Sequence, residues 1–289
     1  MVKFTIYAGG YTSFIVSYLF DTQTSSLTYL DTIPTSANPS WLTPHPTNEN
    51  IIYMTRGTGK SSLPSTGGTA FDNSTSVLVT FAPPPGGASN PHMALMYKDE
   101  IFVPDPGSDK IWRIGNAGAP GNYSIHGLIE HPKGTGPRHM AVLSALSPRT
   151  PTAPPPSSQT PARSPPTPPR TPPLPPPRSS SPAPSTAFPQ PYIYVSNRNI
   201  GATPDPRGDT IGIFDLVALA PVAQVSTGLV NIRGMALGLG DAGEAYLVAL
   251  GAVSGGMVVY ERTEGGAGLL EVAGSASAVA RTTLVMVPS

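Results

Sequence analysis

The stretch NIRGMALGLGDAGEAYLVALGAVSGGMVVYER, residues 231–262, holds three apolar runs separated by glycine-rich turns. Each run is short and rich in Val, Leu, Met and Tyr, which predicts three antiparallel strands rather than helices. A polar residue, Arg233, stands just before the first run. NPHMALMYKDEIFVPDPGSDKIWRI (90–114) repeats the plan, with His92 before its first run and a Gly/Asp turn before its third. NPSWLTPHPTNENIIYMTRG (38–57) follows the same opening with Trp41. GPRHMAVLSAL (136–146) starts likewise, with Arg138 and His139, and is then cut off by proline. Four-stranded units recurring about every 40–50 residues are the pattern of a β-propeller. In such a fold each unit lends its innermost strand and preceding loop to one axis. Trp41, His92, His139 and Arg233, far apart in sequence, are therefore expected to meet at the channel mouth.

Elsewhere the chain keeps to short strands between turns. Lys3–Tyr7, Phe14–Phe20 and Ser26–Leu30 form an expected opening meander, followed by Ile51–Met54, Ser76–Phe81, Met93–Tyr97, Glu100–Val103 and Lys110–Ile114. Beyond residue 190 the expected strands are Tyr192–Ser196, Thr210–Asp215, Val222–Thr227, Gly234–Leu237, Tyr246–Leu250, Met257–Glu261 and Leu269–Ala273. No segment has the period of an amphipathic helix, so the fold class is all-β. About half of the 37 prolines lie between Pro148 and Pro191, in a tract without any acidic residue. Proline fixes φ and lacks an N–H, so residues 148–187 are expected to be a disordered or polyproline-II-like insert. Residues 1–147 and 188–289 then make one domain on either side of it. PxxP with flanking arginine has the form of an SH3-domain ligand, but a solvated insert with no partner is the preferred expectation.

A chain of 289 residues, 39% of them hydrophobic, can bury the core of one large all-β domain. Lys+Arg and Asp+Glu both number 17, which leaves no basic field for nucleic acid or an anionic membrane. Without cysteine there are no disulfides, thiolate metal sites or Cys nucleophile. The start, MVKFTIYAGGY, has no apolar run of signal-peptide length and no later run could span a bilayer, so a cytoplasmic protein is expected. There is no GxxxxGK[ST] loop, no GxSxG elbow and no His/Asp/Glu cluster at metal-ligand spacing, so neither a cofactor nor a metal is expected.

YAGGYT (7–12), NPSWLTPHPTNENIIYMT (38–55), VPDPGSDKIWRI (103–114), GTGPRHMAV (134–142), YIYVSNRN (192–199), RGDTIGIFD (207–215), IRGMALG (232–238) and GGMVVYERTEGG (255–266) occur in a telling order. Together they resemble the lactonase-type seven-bladed β-propellers, which include bacterial 6-phosphogluconolactonases and fungal carboxy-cis,cis-muconate cyclases. The resemblance implies such a propeller with one or two blades truncated. It also implies a lactone hydrolase of the 6-phosphogluconolactonase type, or alternatively a muconate cyclase, acting on a small anionic substrate. Two departures stand out. After Arg56 a Gly/Ser/Thr-rich stretch occupies the place of further blade material. After Arg138–His139 the family's strand ending in an Asn/His–Glu pair is replaced by the proline tract, and the pattern resumes at Phe188–Pro189. The exchange resembles an out-of-frame or unspliced stretch of a gene. Because it removes the family's glutamate, a non-catalytic binding propeller is the third expectation.

Opening or closing a lactone on an anionic acid needs cations for carboxylate or phosphate and a group that moves one proton. Arginine offers a bidentate fork, and histidine titrates near neutrality. The resemblance gives His139, Arg198 and Arg233 catalytic roles, and His92, Arg138 and Asn197 contacts with the substrate. A plainer expectation for Arg198 is pairing with Asp205 or Asp209. His45 is expected to be structural, and His126 and His131 to lie in a loop without a role. Asp105 is expected to form a turn, and the Arg-Gly-Asp at 207–209 a loop before a strand.

Overall fold

The computed structural model describes residues 2–35, 38–45, 52–56, 60–67, 70–97, 99–116, 123–137, 140, 179–180, 187–198, 205–216, 218, 220–278 and 281–289. Its first strands are β1 (Lys3–Gly9), β2 (Phe14–Asp21), β3 (Ser26–Pro34), β4 (Pro39–Pro44), β5 (Ile52–Arg56), β6 (Lys60–Gly67) and β7 (Ala70–Thr80). Next come β8 (Leu95–Tyr97), β9 (Glu100–Asp105), β10 (Lys110–Asn116), β11 (Tyr123–Glu130), β12 (Ser179–Ser180), β13 (Tyr192–Asn197), β14 (Thr210–Asp215) and β15 (Pro221–Ser226). The last are β16 (Ile232–Leu237), β17 (Tyr246–Gly251), β18 (Met257–Thr263), β19 (Gly268–Ser275) and β20 (Thr283–Pro288). They make five four-stranded antiparallel sheets among the described residues, in the orders β20-β1-β2-β3, β4-β5-β6-β7, β8-β9-β10-β11, β12-β13-β14-β15 and β16-β17-β18-β19. All five belong to one unit of residues 1–140 and 177–289. Among the described residues helix is limited to Gly240–Gly243 and a 3-10 turn at Glu264–Gly266, in keeping with the all-β expectation.

Burial follows strand position. β1, β17 and β20 are buried on both faces and read as nearly continuous apolar runs, whereas the outer β11 and β15 alternate between partly buried and exposed. Four clusters join the sheets in sequence. Tyr194, Ile211 and Ile213 pack on Ile232, Leu247 and Tyr260, joining the β12–β15 sheet to the β16–β19 sheet. Val248, Leu250 and Val259 pack on Phe4, Val16 and Met286, reaching the sheet of β1 and β20. That sheet's Tyr7, Ile15 and Val285 meet Leu42, Ile52 and Met54, and Tyr53 and Phe81 then meet Ile101, Val103 and Trp112. The sheets therefore pack in the order β12–β15, β16–β19, β20–β3, β4–β7, β8–β11.

Several strands depart from expectation. β4 is bounded by prolines, which a strand tolerates at its first residue and its edges. The Gly/Ser/Thr-rich stretch after Arg56 is not a gap in the blade: it forms β6 and β7, and the pairing register slips around Pro64, which has no N–H to donate. His126 lies within β11 rather than in a loop, its Nε2 3.5 Å from Glu100 Oε1. Ser179–Ser180, inside the tract expected to stand apart, pair with Val195 and Tyr194 as β12. Residues 148–178 and 181–186 of that tract lie outside the described residues.

Candidate functional site

The leading strands β4 and β16 begin in the same way, and the approach to Arg138 shares its first feature. Asn38 and Asn231 hold φ of 60° and 61°, and Gly136 holds 53°. The pairing of β4 with β5 then skips Ser40, and that of β16 with β17 skips Arg233. Such a bulge leaves one residue outside the ladder and re-aims its side chain. Counting from the left-handed residue, Arg233 corresponds to Ser40 and, in sequence, to Arg138. This moves by one place the expectation that matched Arg233 with Trp41 and His139.

β16, β20 and β4 run side by side at this level. The Leu42 amide donates to Thr283 Oγ1 at 3.0 Å, and a Cβ on Gly234 would come within 3.3 Å of the Thr283 nitrogen. Arg233 is half-buried, with its guanidinium 5.8 Å from the ring centroid of exposed Tyr11, in the YAGGYT motif. Trp41 lies 6.5 Å, centroid to centroid, from the His92 ring, and its indole N–H donates to Thr43 Oγ1, whose hydroxyl donates to Ala94 O at 2.9 Å. His92 is half-buried and its amide donates to Pro104 O at 3.0 Å. The Met140 amide lies 3.1 Å from Met93 Sδ, so the chain following Arg138–His139 returns beside the residue after His92.

Carboxylates hold these entrances. Asp105, fully buried, accepts the amides of Asn90 (2.7 Å) and Gly107 (3.0 Å), the Ser89 hydroxyl (2.5 Å) and the Trp112 indole (3.0 Å). Desolvation pushes its pKa upward, but the bonds from Ser89, Trp112 and Asn90 prevail and hold the carboxyl below its ordinary range. It is a turn-former, as expected, and also a buried hub. Asp109 accepts the amides of Gly134 and Gly136, each at 2.8 Å, and these two bonds lower its pKa. Asp209, also buried, accepts the Ile232 amide at 2.7 Å. The Arg-Gly-Asp tripeptide is therefore not presented as a recognition loop: Asp209 is committed inward. Arg207 pairs with Asp205 at 2.6 Å, and this arginine holds the Asp205 carboxyl down at about 2.

Of the expected site residues, Arg138 and His139 lie outside the described residues. Asn197 is the exposed last residue of β13, opposite Thr210. Arg198 follows it, half-buried, with an Nε that is shielded from solvent and has no hydrogen-bond partner among the described residues. No described carboxylate forms an ion pair with Arg198 or Arg233. Arg198 and Arg233 stand on adjacent sheets, where β13 runs beside β16. His92 leads into the β8–β11 sheet, three sheets beyond that of Arg233 in the packing order. Sequence reasoning missed Tyr11 and Asp109, and gave Asp209 only as a partner for Arg198 or as part of a loop. A signal for the acids was present in the matching DPGSD (105–109) and DPRGD (205–209). Among the described residues no group of three His, Asp or Glu is arranged to hold a metal ion. No helix there is long and apolar enough to cross a membrane.

No protein-family sequence model matches the chain, and no curated protein sequence is significantly similar to it. Solved structures do match. A candidate 6-phosphogluconolactonase from Bacteroides fragilis superposes with a TM-score of 0.55 at 15% identity, covering 99% of this chain and 98% of that one. One from Bacteroides uniformis does so at 0.53 and 14%, covering 99% and 100%. The periplasmic gluconolactonase of Pseudomonas aeruginosa reaches 0.50 at 12%, covering 98% and 99%. At such identities the likeness is one of fold: the chain has the all-β fold of lactonase-type propeller proteins.

Proposed function

We propose that the chain is a lactone hydrolase of the 6-phosphogluconolactonase type, acting on a small anionic sugar lactone. The carrying observation is the pair Arg198 and Arg233. They are two cations on adjacent sheets, neither with a carboxylate partner among the described residues. A shielded guanidinium N–H left without an acceptor costs about 1–3 kcal/mol, which the oxygens of a phosphate or carboxylate would recover. In this reading Arg233 and Arg198 hold the anion, with Arg138 and Asn197 beside them. His139 moves the proton between water and the ring oxygen, with His92 as a further substrate contact. The names of the structural neighbours support the lactone as substrate class.

The test is hydrolysis of 6-phosphogluconolactone by the purified chain, followed by proton release against the buffer rate. Hydrolysis well above that rate, lost in Arg233→Ala, is the expected result. A rate no faster than buffer overturns it. A second reading, anion binding without turnover, is favoured by the lack of any counterpart to the family's glutamate after His139. Tight binding of 6-phosphogluconate with no hydrolysis would select it, and lactone formation from a carboxymuconate would select the cyclase instead.

A further inference from the structure

The two Asp-Pro-x-x-Asp turns lie at equivalent places, each joining the second and third strands of its sheet: residues 105–109 between β9 and β10, and 205–209 before β14. In both, the amide three residues on returns to the carbonyl of the first aspartate, Ser108 to Asp105 at 3.3 Å and Gly208 to Asp205 at 3.0 Å. In both, the last aspartate points away from its own sheet toward the chain that leads into the next. Asp109 takes the amides of Gly134 and Gly136, and Gly136 stands two residues before Arg138. Asp209 takes the amide of Ile232, immediately before the bulged Arg233. The turn carrying Asp209 presses so closely on this approach that a Cβ on Gly208, at φ 81°, would lie 2.6 Å from Leu229 O. The first turn also acts within its own sheet, since Asp105 takes the Asn90 amide, two residues before His92.

We infer that Asp209 is a positioning residue: it fixes the peptide from which the next sheet presents Arg233, and Asp109 holds the Gly134 and Gly136 amides in the same manner. A bulge frees a residue from the ladder and so leaves its direction underdetermined by pairing alone. A charge-assisted bond to the adjoining amide supplies the missing constraint. Asp209 Oδ2 takes the Ile232 amide, and both Asp109 oxygens take backbone amides, so each carboxylate acts on the peptide before the ligand-facing residue. Asp105 extends the arrangement, so that the DPGSD turn holds the Asn90 amide as well as those of Gly134 and Gly136. For binding, the inference rests on the proposed role of Arg233 as an anion contact. For the geometry it does not.

The experiment uses the full chain and two readouts. Calorimetric titration with 6-phosphogluconate compares Asp209→Ala, Asp209→Asn, Arg233→Ala and the double variant Asp209→Ala/Arg233→Ala. Asp209→Ala should bind about tenfold more weakly, equivalent to about 1.4 kcal/mol. Asp209→Asn, whose amide oxygen still accepts, should restore most of that loss. The double variant should bind no more weakly than Arg233→Ala alone, because a positioning residue has nothing left to position. Additive losses, or unchanged binding in Asp209→Ala, overturn the inference. Native-state amide exchange gives the second readout without ligand: Ile232 should exchange at least tenfold faster in Asp209→Ala, with β17 and β18 unchanged. Unchanged Ile232 exchange overturns the positioning role. A wild-type chain that ignores 6-phosphogluconate while Ile232 exchange rises overturns only the anion assignment. Should Asp209→Ala fail to fold, Asp109→Ala, at a partly exposed position, is read through the Gly134 and Gly136 amides in the same way.

Discussion

The Leu42 amide donates to the hydroxyl of Thr283 at 3.0 Å, linking two buried residues 241 positions apart. Leu42 belongs to β4, and Thr283 opens β20, the strand that completes the first sheet by pairing with β1. Thr283→Val keeps the shape and removes the acceptor, leaving the Leu42 N–H buried and unmet. We expect a loss of about 1–3 kcal/mol in urea denaturation, with Thr283→Ser losing much less. Equal stability of Val and wild type would show that this bond contributes nothing.

Removing residues 283–289 takes away β20 altogether. Ile6, Phe4 and Tyr7, all fully buried, would then face water along an open β1 edge. The truncated chain is expected to be aggregated or unfolded by gel filtration and circular dichroism, whereas the full chain gives a cooperative melt.

Arg262 is 4% exposed, 3.8 Å above the Phe188 ring, and donates from Nε to Tyr194 Oη and from Nη1 to the Glu244 carbonyl, both at 2.8 Å. Phe188 is where the repeat pattern resumes after the proline tract, so this clamp seats the returning chain. Lysine cannot reproduce a planar stack with divergent N–H groups. Arg262→Lys is expected to destabilise by about 2 kcal/mol, as read by thermal melting. A Tm within a degree of wild type would contradict the clamp.

Asp105 and Asp109 both titrate below the ordinary carboxylate range when folded. A depressed folded pKa means stability that is present above the unfolded value and lost as pH falls through the folded one. Tm should therefore stay level from pH 7 to 5 and drop below about pH 4. Asp105→Asn should cost on the order of 3 kcal/mol at pH 7 and flatten the acid-side decline. An unchanged acid slope in that variant would remove Asp105 from the explanation.

All-β character, the repeat and the Asp105 turn were legible in the sequence because each is a local matter. Apolar run length, Gly/Asp turn chemistry and the return of one plan at 38, 90, 136 and 231 act within a few residues. The proposed anion contacts Arg233 and Arg198 could also be singled out in the sequence, since each borders an apolar run. Tertiary structure alone decided the rest. β6 and the first half of β7 carry too few apolar residues to show a two-residue period, and β6 becomes a strand by pairing with β5 on one side and β7 on the other. β20 pairs with β1 across nearly the whole chain, and no local pattern encodes a partner at that distance. The Asp-Pro-x-x-Asp repeat could be seen, but not which carboxylate turns outward. In DPRGD the first aspartate meets a neighbouring arginine and the last is buried against Ile232, because the packing of one sheet on the next sets the direction of a short side chain.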